Sequence, residues 1–271
     1  VTSFLVSDAA PADYPAFARL FPELGVVDPV PSAQRFTEII APQSILARDG
    51  EAVVGFAWSR PRGERLHIVN VITDPANRRR GVGRALMHEL AKRARAAGFQ
   101  RWMLRVKPEN LSARKLYEGC GMRTVLEGAQ LRVAWDDLGR LPSPPAGIAT
   151  ATLTASEDAR FERALQLEAG DLSSVRALPG RVFMGAAVQG VPVGCVAFDP
   201  AFPGAPVLRA RSPSDARALL EALVPHALPP HAGLFVSVEG DPALESALVG
   251  VGAEVTMRML RMEGNVDDAG A

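Results

Sequence analysis

The chain has 271 residues, more than the roughly 100–200 of one ordinary domain, so two compact units are expected. Hydrophobic residues make up 48% and charged ones 22%, and no run approaches the ~18 apolar residues of a membrane helix, so no membrane partner is expected. Thirty basic residues balance thirty acidic ones, which removes the whole-chain electrostatic case for nucleic acid.

No charged-then-apolar leader follows Val1, and the two isolated cysteines, Cys120 and Cys195, build neither a disulfide framework nor a CxxC metal site. A cytoplasmic setting and no metal are therefore expected. Residues 4–6 read as a short strand, followed by amphipathic helical stretches near 11–21 and 32–40. Ser44–Arg48 and Ala52–Ser59 are strand-like and flank the turn pair Asp49–Gly50. A second turn at Pro61–Glu64 leads into Leu66–Thr73, a strand rich in β-branched residues. A helix begins near Val82, with Leu86, Leu90, Ala94 and Ala97 at helical spacing and Gly98 as its stop. Arg101–Val106 is a strand, and Asn110 caps a further helix that ends at Gly121. Strands at 123–126 and 130–135 close the first domain.

The segment 139–147, GRLPSPPAG, reads as a linker. Beyond it the order repeats: strand 148–153, helix 156–168, strands 182–188, 192–198 and 206–210, helix 213–224, strand 233–238, helix 241–250, strand 254–261. Gly121 and Gly252, and Asn110 and Asp241, are each separated by 131 residues. A period that long means duplicated domains, since solenoid repeats run to only ~20–50 residues. The residues from about Gly264 are polar and expected to fray.

Chemistry concentrates where the strand at 66–73 hands over to the helix. Arg78, Gly81 and Gly83 form R-x-x-G-x-G, in which glycines let a phosphate approach the backbone and the unpaired amides of the helix start point outward. Arg78, Arg79 and Arg80 add positive charge, and Val82 and Arg84 stand beside the glycines as further candidate contacts. Residues 81–86, GVGRAL, supply neither the GxGxxG of a dinucleotide fold nor the Lys-Ser/Thr of a P-loop.

With Val71 and Asp74-Pro75 ahead of it, this stretch resembles the [Q/R]-x-x-G-x-[G/A] signature of the GNAT family of N-acetyltransferases. The family's N-x-x-A-x-x-x-Y pattern follows as Asn110, Ala113 and Tyr117, so the resemblance spans about 65–122. It implies an α/β (α+β) chain of two tandem GNAT-like domains, each a mixed, mostly antiparallel twisted sheet flanked by helices, with a splayed strand pair forming the CoA cleft in the first. The implied division is a catalytic domain at 1–138, the linker at 139–147, a degenerate GNAT-like domain at 148–263 and a flexible tail at 264–271. The implied cosubstrate is acetyl-CoA, its thioester arm held near Val71, Ile72 and Thr73 and its phosphates by Arg78 to Arg84, with Asn110 and Tyr117 as further contacts.

By the same resemblance the Val71 amide stabilises the oxyanion and Tyr117 protonates the leaving sulfur. Tyrosine suits that task because its ordinary pKa near 10 keeps the hydroxyl protonated at neutral pH. His67, on the motif strand where histone-acetylating relatives carry a glutamate, is the candidate base, acting directly or through water, with Glu64 nearby. Plainer roles compete: Asn110 as a helix cap, Tyr117 as core, His67 as a structural histidine, Cys120 as packing. The second half reads as having lost the cradle, with Leu248 at the place of Tyr117 and Ser212 and Ser214 at those of Gly81 and Gly83.

The function expected is acetyl transfer to a primary amine of a small molecule, peptide or protein by direct attack in a ternary complex. The alternative is a CoA-binding sensor or scaffold with little turnover. Residues 22–42, including Pro22, Glu23, Asp28, Gln34, Arg35, Phe36 and Glu38, and the 61–64 turn are expected to line the acceptor pocket. A monomer is expected, with a dimer compatible.

Overall fold

The structure, a computed structural model, describes residues 4–25 and 29–270. In the first half β1 (Leu5–Asp8), α1 (Tyr14–Leu20) and α2 (Ala33–Arg35), which runs into a π-helical turn at Phe36–Ile40, precede β2 (Ser44–Asp49), β3 (Ala52–Arg62) and β4 (Arg65–Thr73). Then come α3 (Val82–Ala96), β5 (Arg101–Val106), α4 (Leu111–Glu118) and β6 (Arg123–Ala134). The second half holds β7 (Ile148–Thr152), α5 (Asp158–Ala164), α6 (Asp171–Arg176), β8 (Val182–Val188), β9 (Val191–Asp199), β10 (Gly204–Ala210), α7 (Pro213–Leu223), β11 (Gly233–Glu239), α8 (Pro242–Gly250) and β12 (Glu254–Asn265). The two segments expected at 123–126 and 130–135 are one strand. The helix expected over 156–168 is α5 alone, because Gln166, at φ 55°, and Gly170, at φ 80°, break the turn before α6. Among the described residues no helix is long and apolar enough to cross a membrane.

Two compact units are present, and their borders fall inside strands rather than at 139–147. The first comprises Val1–Pro61, Arg65–Thr124 and Met262–Ala271; the second comprises Arg62–Glu64 and Val125–Arg261. In the first, the strands run β1-β2-β3-β4-β5 and then the end of β12. In the second, the order is the start of β12, then β6, β11, β10, β9, β8 and β7. Thus β6, which follows α4 in sequence, pairs antiparallel with β11 from Gly128↔Glu239 to Ala134↔Gly233. The tail expected to fray instead forms a 3-10 turn at Val266–Gly270 that packs on α3, with Val266 and Ala269 buried. Arg95 of α3 holds it by donating to the Val266 carbonyl at 3.0 Å and to Asp267 at 2.9 Å.

In the first unit one sheet face carries an aromatic core. Phe17 of α1 stacks on Phe36 at 4.7 Å and meets Phe56 of β3 at 5.0 Å, with Ile72 of β4 in the same cluster. Such pairs add to the burial of large apolar area. The other face takes α3, which buries Val82, Leu86, Met87, Leu90, Ala91 and Ala94, the stripe its spacing predicts. Gly55 of β3 lets the start of α3 come close: a Cβ there would lie 2.5 Å from Val82 Cγ1 and 3.3 Å from the Ile72 carbonyl. Gly55→Ala is expected to destabilise the protein by about 1–3 kcal/mol through overpacking, read as a lowered midpoint in urea; an unchanged midpoint would show that α3 shifts without cost.

Candidate functional site

Strands β4 and β5 are parallel and begin together. Arg65 pairs with Arg101, Leu66 with Trp102, His67 with Met103 and Ile68 with Leu104, and the ladder stops there. At its closed end Glu263 accepts from Arg65 at 2.8 Å and from Arg101 at 2.7 Å, with Arg65 1% and Glu263 8% exposed. From Val69 to Thr73, β4 has no ladder partner on β5. A backbone edge freed inside a sheet must find other partners, so the parting strands make a slot for an extended group with its own donors and acceptors.

The open end of the slot points at the start of α3. Asp74 closes a 3-10 turn at Pro75–Asn77 by accepting from the Ala76 amide at 3.0 Å. Arg19 of α1 bonds both the Asp74 carboxylate and the Val53 carbonyl, the latter at 2.8 Å, and the guanidinium holds the Asp74 carboxyl below the usual carboxylate range. Gly81 sits at φ 93° as the residue before α3, with no atom within 4 Å of a would-be Cβ; its backbone demands glycine and its surroundings are open. Amides at the start of a fifteen-residue helix, with its dipole behind them, suit an anion at that place.

The arginines of this loop divide into two pairs. Arg78 donates to Glu23 at 2.7 Å, and Arg80 donates to Asp49 at 2.9 Å and also to Asn77. Arg79, at φ 62°, and Arg84 make no ion pair with any described residue. Two guanidinium groups beside the glycines are therefore uncommitted.

Gly83 joins this loop to α4. A Cβ at Gly83 would lie 2.9 Å from Leu116 Cδ2 and 3.8 Å from Thr73 Oγ1, so end of strand, start of α3 and body of α4 meet at one point. Asn110 caps α4 by accepting from the Ala113 amide at 3.1 Å, so its side chain takes the structural role foreseen as the competing one. One residue past Leu116, Tyr117 is 7% exposed, and no hydrogen bond ties its hydroxyl to a described residue. Burial pushes the hydroxyl's pKa up to about 12, with a smaller contribution from neighbouring Cys120. Burial likewise raises the Cys120 thiol, against a lowering influence of Arg84; the thiol stays neutral and serves as packing.

Val71, Ile72 and Thr73 thus lie on the unladdered part of β4, Arg79, Gly81, Val82, Gly83 and Arg84 follow at the start of α3, and Asn110 and Tyr117 belong to α4, which touches that start through Leu116. His67 does not. It is buried in the laddered part of β4 opposite Met103, four residues before Val71, or about 13 Å at the rise of a strand. The 61–64 turn, expected at the acceptor pocket, is built into the second unit: Arg62 pairs with Asp171 at 3.1 Å, and the Gly63 amide donates to Ser174 Oγ at 2.8 Å. Of the other expected acceptor residues, Phe36 is core, Glu23 faces Arg78, Gln34 donates to Glu38 at 3.1 Å, and Asp28 lies outside the described residues. Sequence reasoning missed Arg19 and Glu263, which hold the two ends of the slot; charge pairing across 55 and 198 residues leaves no local signal.

The second unit repeats the geometry without the chemistry. Its parallel pair, β10 and β11, is laddered only at Gly204↔Phe235 and Ala205↔Val236. At the start of α7, Ser212 accepts from the Asp215 amide at 3.2 Å and donates to the Asp215 carboxylate at 2.7 Å, while Pro213 has no N–H to offer. That helix end is filled by its own acid and repels an added anion. Leu248, fully buried in α8, stands where Tyr117 stands in α4, and Asp241 caps α8 from the Leu244 amide at 2.9 Å, as Asn110 caps α4.

Residues 14–122 match the family model described as Acetyltransferase (GNAT) family. No curated protein matches the sequence. Among solved structures, a GCN5-related N-acetyltransferase from Sphaerobacter thermophilus is 20% identical, with 97% of this chain and 96% of that chain covered and a TM-score of 0.69. A tandem GNAT protein from the clavulanic acid biosynthesis pathway is 20% identical, with 97% and 99% covered and a TM-score of 0.63. A GCN5-related N-acetyltransferase from Anabaena variabilis is 12% identical, with 97% and 73% covered and a TM-score of 0.59. At these identities the likeness is one of fold, and it runs the length of the chain. Residues 14–122 are thus similar to the GNAT acetyltransferase family, and the chain as a whole has the fold of a tandem GNAT protein.

Proposed function

We propose that the first unit transfers an acetyl group from acetyl-CoA to a primary amine of a small molecule, peptide or protein, by direct attack within a ternary complex. The observation that carries the reading is the parting of β4 from β5 after Ile68, with the open glycine turn at the start of α3 beyond it and Tyr117, buried and without a hydrogen bond to a described residue, on the adjoining α4. A CoA thioester brings an activated acyl carbon on an extended, amide-containing arm, and the freed edge of β4 at 69–73 matches that arm. Arg79 and Arg84 face the phosphates together with the amides at the start of α3, and Arg78 joins them on leaving Glu23.

Chemistry then divides among few groups. The Val71 amide donates to the carbonyl oxygen as negative charge grows on it, which is where fixed donors lower a barrier most. The amine nitrogen forms the new C–N bond, the C–S bond breaks, and the Tyr117 hydroxyl gives its proton to the sulfur. A hydroxyl with a pKa near 12 is fully protonated across the working range, so the acid is in its competent form whenever the amine is neutral. The surplus proton on nitrogen leaves through water, and His67, about 13 Å from Val71, receives it only by such a relay.

Four outcomes test this reading. Calorimetry with acetyl-CoA is expected to give one site per chain, at least about tenfold weaker in the Arg79→Ala/Arg84→Ala double variant, since each lost charged hydrogen bond costs about 1.5–3 kcal/mol. Glu23→Gln is expected to tighten binding by about two- to fivefold, because Arg78 no longer has to leave an exposed ion pair. In steady-state kinetics Tyr117→Phe is expected to lower kcat by roughly 10²–10⁴ with KM for acetyl-CoA unchanged, whereas His67→Ala lowers kcat/KM by less than about tenfold. For the wild type, kcat/KM is expected to rise with pH as the acceptor loses its proton and then to stay level to pH 10. A fall beginning near pH 8 would remove Tyr117 as the acid, and binding without turnover on any amine would favour the sensor.

A further inference from the structure

The second unit holds a cavity of about 390 Å³, lined by Ala164, Leu165 and Gln166 at the end of α5 and by Arg209, Ala210 and Arg211 at the end of β10. It lies where β10 has run five residues past its last ladder pair with β11, at the open end of that unit's strand parting. Its volume falls within the ~300–1,000 Å³ of small-molecule pockets. The filled start of α7 and the buried Leu248 exclude the thioester chemistry of the first unit from this place. A pocket remains, and it has its own character.

That character is cationic. Two of the six lining residues are arginines, no carboxylate lines the cavity, and neither arginine forms an ion pair with a described residue. Arg209 is half-buried and directs one nitrogen to the Leu208 carbonyl at 3.1 Å, while Arg211 is exposed. The two acids of α5 are already spent. Asp158 accepts from Arg176 at 2.7 and 2.8 Å, and Glu162 accepts from the Gly170 and Leu172 amides at 3.0 and 2.8 Å. Gln166, an exposed amide among the lining residues, is held in the left-handed region at φ 55°, a conformation that costs energy for a side-chain-bearing residue and tends to persist at binding places.

We propose that this cavity binds a small organic carboxylate, its carboxylate gripped by Arg209 and Arg211 and its carbon skeleton resting on Ala164, Leu165 and Ala210. The planar guanidinium fork matches a carboxylate bidentately, the apolar wall gives an organic anion more than an inorganic one would gain, and Gln166 offers one further polar contact. The site is separate from the acetyl-transfer slot and does not depend on how that slot works.

The test is calorimetry on the full chain with succinate and, in parallel, inorganic phosphate. Saturable binding of succinate at one site per chain is expected, at least tenfold weaker in Arg209→Gln/Arg211→Gln and unchanged in Arg79→Ala/Arg84→Ala. If the double variant does not keep the wild-type melting curve, Ala164→Trp, which fills the cavity and leaves both arginines, is expected to abolish the same signal. No saturable succinate binding, binding of phosphate in preference to succinate, binding indifferent to these changes, or binding lost with Arg79 and Arg84 would each overturn the proposal.

Discussion

Everything in the first unit turns on a ladder that stops. Two parallel strands that begin in register at Arg65 and Arg101 stay paired for four residues and then diverge. Pairing is favourable along the whole length of two such strands, so divergence has to be imposed. One end is pinned shut by Glu263 between two arginines; the other is held by Arg19 on Asp74 and by the close seating of α3 against Gly55. The slot is thus the product of contacts at both its ends.

The helices bring an open glycine turn and a buried tyrosine to the first unit. Gly81 turns the chain so that the start of α3 faces outward, and Gly83 brings α4 close enough for Leu116 to touch the same turn. Tyr117 follows Leu116 along α4 and is buried, and burial keeps its proton on. In the second unit the same backbone path leads to a helix that caps itself with Ser212 and Asp215 and to a leucine in place of the tyrosine. The two units share a fold, and of the two only the first carries the open glycine turn and the buried tyrosine.

Much of this was legible in the sequence. The stripe of α3, the glycines before it, the asparagine cap of α4 and the offset repeat are local patterns, and local geometry follows from them. What escaped is non-local. Nothing in the residues of β6 tells that they pair with β11, because an amphipathic strand fits any partner of suitable register. Residues 264–270 look like a frayed tail since, among the residues whose burial is described there, Val266 and Ala269 alone are buried, and the side of α3 that receives them is visible only in three dimensions. His67 reads as a base because it shares a strand with Val71. That the ladder still covers it at residue 67 depends on where β5 lies.

The closing of the first unit by Met262–Ala271 bears on the order of events during synthesis. Domains as a rule fold one after another as they leave the ribosome, at ~5–20 residues per second. Here the arginines at the closed end of the slot meet Glu263 only after the whole of 125–261 has been translated, a delay on the order of ten seconds. During that interval α3 has an uncovered flank and Arg65 lacks this carboxylate. The slot matures last, although most of its residues are made first.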